Sequence, residues 1–209
     1  MRSRGGPTFT ETARRAQIVE CGIGAIAELG YTQASVRKIA ERAGVAMSVV
    51  LYHFGHKDDL VAAIVSECYR ALIEVMLPAV DIEETAAGKL AAHIRTHLAY
   101  IGTHRDHQLA LTEIANNFRG RDGKRLANLD IDPSHLDALA RIDLEVIYRQ
   151  GKADGEFGGA AIESLALATR SAIGGALLRS TVEPDFDLST YAQDLVDIFL
   201  RAAEPNTSS

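Results

Sequence analysis

Arg2, Arg4, Arg14, Arg15, Arg37, Lys38, Arg42 and Lys57 put eight cations into the first 57 residues, against only Glu11, Glu20, Glu28 and Glu41. That stretch carries +4 and the rest of the chain −10, which together give the −6 of the 209-residue whole. A cationic head on an anionic body is suited to holding a polyanion at one end only. Chance clustering of charge gives the same arithmetic, so charge alone leaves the two readings level. Histidines are the second group with chemistry to offer. His93 and His97 stand one helical turn apart beside Leu90, Ile94, Leu98 and Ile101, and His104 and His107 follow. Such a pair can bind a metal, yet spacing places neither a cysteine nor a third ligand with it. The alternatives are polar groups facing a ligand cavity, or histidines with no role. Catalysis has little to stand on. There is no HExxH, no GxxxxGK[ST] and no GxSxG, and the glycine-rich stretch from Gly151 to Gly159 follows a helix rather than a strand. A helical enzyme is therefore unlike this chain, and the chemistry calls for no cofactor and no metal.

Positioning these residues falls to helices. Hydrophobic residues make up 47% and charged residues 24%, which excludes a disordered, collagen-like or disulfide-framework chain. Cys21 and Cys68 show no CxxC spacing and read as buried thiols of a reduced, cytoplasmic protein. Met1 to Thr10 is basic and polar and reads as a flexible arm, not a secretory signal. No apolar run reaches the length of about 18 residues that a membrane span needs.

The periodicity predicts a helix from Thr10, capped by Thr10 or Thr12, with Ile18, Gly22, Ile26 and Leu29 on one face and Gly30 at its end. Gly22 and Gly24 inside it point to a close neighbouring backbone. Ser35 caps a short second helix, which Gly44 stops, and a third runs from Val45 to about His53. A fourth opens on Asp58 and Asp59 and runs to Pro78. Further helices are expected over about 86–103, 107–118, from Pro133 to Gly151, 160–180 and 188–202, with Asn206 to Ser209 as a frayed tail. No strand alternation is visible, so the expected fold is all-α with about nine helices.

Two short helices joined by a glycine-containing turn and preceded by a third form a helix-turn-helix, whose second short helix enters the major groove. Residues 14–60 resemble the DNA-binding head of the TetR family of bacterial transcription regulators. The resemblance runs through Arg15, Ile18-Val19, Leu29-Gly30-Tyr31, Ser35-Val36-Arg37-Lys38-Ile39-Ala40, Ala43-Gly44-Val45, Tyr52-His53-Phe54 and Lys57-Asp58-Asp59-Leu60. It implies a head over 1–57 and a ligand-binding and dimerisation domain over 58–209. It also implies double-stranded operator DNA, a small-molecule effector and a second copy of the chain as partners, and a repressor released by its effector. A metal-responsive regulator using His93 and His97 is the alternative.

On this reading Ala46, Met47, Ser48, Val49, Leu51, Tyr52 and His53 face the groove. Ser35 meets a phosphate, Arg37 a phosphate or a guanine edge, and Lys57 a phosphate. Arg2 and Arg4 are candidates for a minor groove. The family usually carries a backbone-binding tyrosine where this chain has Leu51, and here the tyrosine follows at Tyr52. Met47, Val49 and Leu51 are apolar, so they read thymine methyl groups rather than hydrogen-bonding edges. In the body, Cys68, Met76, His93, His97, Glu113, Asn117, Phe118 and Tyr148 are candidates for the ligand. The stripes Thr169, Ile173, Gly174, Leu177 and Tyr191, Leu195, Ile198, Phe199 are candidates for the dimer contact.

Overall fold

Thr8 begins the first helix. Its hydroxyl accepts from the Glu11 amide at 3.3 Å, and the Glu11 carboxylate accepts from the Thr8 amide at 2.8 Å. This reciprocal pair needs a glutamate three residues after the cap, which Thr8 has, and so it displaces Thr10 and Thr12 as the cap. The computed structural model describes residues 8–120, 123, 125–126, 132–158 and 161–205. Arg2, Arg4, most of the expected arm, part of the stretch between the helices expected over 107–118 and from Pro133, Gly159 and the expected tail 206–209 lie outside the described residues.

The described residues form ten α-helices and no strand: α1 Phe9–Leu29, α2 Val36–Arg42, α3 Met47–Phe54, α4 Lys57–Asp81, α5 Ala86–Thr103, α6 Arg105–Asn117, α7 Ser134–Arg141, α8 Leu144–Ala153, α9 Ile162–Val182 and α10 Leu188–Ala203. None is long and apolar enough to cross a membrane. The chain divides into two compact units, Met1–Cys68 with Asp106–Ile131, and Tyr69–Arg105 with Asp132–Ser209.

In the first unit, α1 to α3 close around Ile18, Ile23, Ile26, Ile39, Ala40, Val50 and Phe54, all buried. Gly30 ends α1 with φ +76°, a conformation that disfavours a side chain, and its amide returns to the Ile26 carbonyl. Gly22 admits a side chain rather than a backbone: a Cβ there would lie 2.6 Å from Ile64 Cδ1 of α4. Gly24 likewise faces the guanidinium of Arg42, 2.9 Å from such a Cβ, and Arg42 pairs with Glu28.

In the second unit, α5 is the most buried helix, with Leu90, Ile94, Leu98, Tyr100 and Ile101 fully covered, and α8, α9 and α10 pack against it. Its amino end is held from far along the chain. Both Glu156 carboxylate oxygens accept backbone amides, from Ala86 and Ala87, each at 3.0 Å.

Pro78 does not stop α4, which continues to Asp81 with Met76 and Val80 buried. A proline this close to a helix end removes a single ladder hydrogen bond, and apolar burial on either side outweighs it. The expected helix from Pro133 to Gly151 is two helices, α7 and α8. The Asp143 carboxylate accepts from the Glu145 and Val146 amides and starts a new helix there. Gly151 does not end α8 but lies inside it, where the ring of Phe157 occupies the space a Cβ would need.

Candidate nucleic-acid interface

Ser35 makes α2 start where it does. Its side chain accepts from the Lys38 amide at 3.3 Å, leaving the neighbouring free amides at an exposed helix end. Arg37 on the outer face of α2 pairs with Glu41 at 2.9 Å, and both are largely exposed. Gly44 turns the chain with φ +66°, and α3 follows directly. Its buried face is Val50 and Phe54. The opposite face presents Ala46, Met47, Ser48, Leu51 and Tyr52 to solvent, with Val49 and His53 half-buried. Met47 and Leu51 are 49% and 39% exposed, high values for apolar side chains that the core could have taken. An eight-residue helix with an apolar inner face and a solvent-facing apolar outer face is built to meet a second surface.

Tyr52 is 75% exposed, and its hydroxyl donates to Glu11 Oε1 at 3.4 Å. Thr8 and then Tyr52 hold the Glu11 carboxyl below the usual carboxylate range. Lys57 is more committed than the sequence reading allowed. Its ammonium donates to the Tyr31 carbonyl at 3.3 Å and lies 4.3 Å from the centre of the Tyr31 ring. Burial lowers its pKa, and Asp58 opposes the shift.

Around Tyr31 the structure assembles residues that spacing separated. Glu113 accepts from the Tyr31 amide at 3.1 Å and from Asn117 at 3.2 Å, and Phe118 sets its edge against the Tyr31 ring. Three of the residues expected to face a ligand, Glu113, Asn117 and Phe118, thus brace the turn after α1. No sequence signal marks this, because the acceptor reaches a backbone amide 82 positions away.

The other candidate ligand residues are dispersed. Cys68 is fully buried, and burial, reinforced by Glu20 and Glu67, pushes its thiol pKa up, so it stays protonated. Met76 is fully buried. His93 and His97 do meet, ring edge to face at 5.6 Å. His93 Nδ1 bonds the Ile142 carbonyl at 2.8 Å, and burial followed by the His97 charge brings its pKa down to about 3. No group of three metal-capable side chains is present among the described residues. Tyr148 is buried and donates to Thr169, whose own hydrogen goes to the Leu165 carbonyl.

The stripe expected to meet a second subunit is turned inward. Thr169, Ile173, Leu177, Leu195 and Phe199 are covered by their own chain, Gly174 and Tyr191 are half-buried, and only Ile198 is exposed. The periodicity of α9 found the core face. The exposed face carries Leu167, Leu178 and Val182, 62%, 61% and 76% exposed, with Gly174 and Gly175 facing open space.

Residues 18–64 match the family model of the bacterial regulatory proteins, tetR family. Over 95 residues the chain is 36% identical to the fatty acid metabolism regulator protein of Bacillus subtilis (strain 168), a match covering 46% of this chain and 48% of that protein. Over 53 residues it is 40% identical to the HTH-type transcriptional regulator BetI 2 of Chromohalobacter salexigens, covering 25% and 26%. The matched stretches span about half and about a quarter of the length of these relatives. Among solved structures, the transcriptional regulator FadR from Bacillus subtilis in complex with stearoyl-CoA is similar over 88% of this chain and 97% of its own, at TM-score 0.70 and 23% identity. A TetR family transcription regulator from Marinobacter aquaeolei VT8 is similar over 94% and 98%, at TM-score 0.76 and 14% identity. At such identities the two structures speak for the fold alone.

Proposed function

We propose that the chain, whose residues 18–64 match the family model of the tetR bacterial regulatory proteins, is a repressor of that family that a small molecule releases from a palindromic operator. The observation that carries this is the cationic head with α3 held outward, its apolar reading face in solvent. Residues 1–57 read DNA, with Ser35, Arg37 and Ala46 to His53 nearest the duplex, and residues 58–209 sense the effector and dimerise. The Lys57 ammonium spends one of its three donors on the Tyr31 carbonyl, which fixes its position and leaves the others for a phosphate.

Two heads reading an inverted repeat require a two-fold dimer, with half-sites roughly 34–36 Å apart. The exposed face of α9, with Leu167, Leu178 and Val182, and Ile198 of α10 supply its apolar centre. Gly174 and Gly175, open to solvent, allow close approach of a second helix.

For the effector we favour a long-chain acyl-CoA. The match to the fatty acid metabolism regulator runs over 95 residues, about twice the length of the head model, and the structurally similar FadR binds stearoyl-CoA. Selecting bound sequences from random duplex DNA tests the DNA reading, which expects an inverted repeat and fails if no sequence is enriched. Adding stearoyl-CoA to the selected complex tests the effector, and unchanged DNA affinity at saturating ligand excludes it.

A further inference from the structure

We propose that Arg15 is a positioning residue for DNA recognition: from the protein surface it sets the angle of α3 through contacts to its own chain, and it is not one of the cations that neutralise phosphate. The proposal rests on α3 being the helix that enters the groove.

Helix α3 is short and lacks a side-chain cap at its amino end, where Ala46 stands. Beside its buried Val50 and Phe54, α3 is held by a side chain at its carboxyl end. There Gly55 returns its amide to the Leu51 carbonyl at 2.8 Å, and Arg15 of α1 donates to the His53 carbonyl at 3.0 Å. The same guanidinium lies over the Phe54 ring, 4.2 Å from its centre. One turn earlier on α1, Glu11 receives the Tyr52 hydroxyl. Glu11 and Arg15 thus form a two-point grip on three successive residues of the reading helix. A cation at a helix carboxyl end is favoured by the helix dipole, and a planar guanidinium can bond a carbonyl while covering a ring face.

The apolar reading face makes this grip matter. Met47 and Leu51 have no long polar reach with which to correct a misplaced helix, so methyl contacts require α3 at the right tilt. Binding to arbitrary sequence depends on phosphate contacts and tolerates a change in tilt.

The test compares the wild type, Arg15→Ala and Arg15→Lys on the duplex recovered by selection and on an unrelated duplex. Arg15→Ala is expected to weaken the selected duplex about tenfold, the scale of one charge-assisted hydrogen bond. It should leave the unrelated duplex and the salt slope unchanged and speed amide exchange in the last turn of α3. Arg15→Lys, which can still reach the carbonyl and the ring, should recover most of the loss. A slope reduced by about 0.9, with both duplexes weakened alike, identifies a phosphate contact and overturns the proposal. Unchanged exchange and affinity overturn it as well. If the wild type selects no duplex, the DNA reading fails, while exchange in the free protein still decides whether Arg15 anchors α3. Should Arg15→Ala not fold, Arg15→Gln carries the same comparison.

Discussion

The surroundings of His93 decide its protonation. Its ring is buried, bonds the Ile142 carbonyl and is held neutral, with a pKa near 3 against an ordinary 6.5. The unfolded chain takes up a proton below pH 6.5 that the folded chain refuses until near pH 3. Stability is thus lost as pH falls through that window, by at most about 1.4 kcal/mol per unit. Thermal or urea unfolding from pH 7 to pH 4 should show this slope. His93→Asn, which keeps a donor for Ile142 and does not titrate, should flatten it, and an equal slope in both proteins would contradict the account. With α3 in the groove as proposed, Met47 and Leu51 predict that replacing thymine by uracil in a half-site weakens binding, by up to about 1–3 kcal/mol at the most sensitive position. Equal affinity at every substituted position would reject a methyl-reading face. The cap at Ser35 and the turn at Gly30 were legible because each is a local bond with a residue-type requirement. The Glu113–Tyr31 bond was not, because a backbone amide carries no signature of its partner.

Helices were legible where one apolar stripe met a cap and a stop, as in α2, α3 and α5. The sequence misled where a distant or internal bond redrew a boundary. Asp143 splits one apparent helix into α7 and α8, and burial on both sides carries α4 past Pro78. The amino end of α5 depends on such a bond, the two amides accepted by Glu156 from the turn after α8. Glu156→Ala should cost about 1–3 kcal/mol, since two amides at a partly buried helix end lose a charged acceptor. Glu156→Gln, which keeps one acceptor oxygen, should cost less. Chemical denaturation of the two variants checks the order, and a negligible effect of Glu156→Ala would show that water replaces the carboxylate.

At the scale of the whole molecule, the positive charge falls on the end of the chain that the family model matches, while the stripe expected to meet a partner is covered by its own protomer. An apolar stripe found by spacing serves first the protomer's own core, and α9 is apolar on both sides, so its second face is visible only once the first is filled. Leu178→Glu on that second face should leave helix content intact and convert the proposed dimer to a monomer by sedimentation. Operator affinity should fall steeply, because two linked heads bind far more tightly than one. A variant that stays dimeric would move the interface elsewhere. Met47 and Leu51, exposed on α3, offer a base apolar contact and no hydrogen-bond donor. A side chain that senses only a methyl group at the 5-position of a pyrimidine has no means of asking whether the base is thymine or cytosine. Cytosine methylated at that carbon should therefore stand in for thymine at those positions, and epigenetic marking of a near-miss site would turn it into a site this protein occupies.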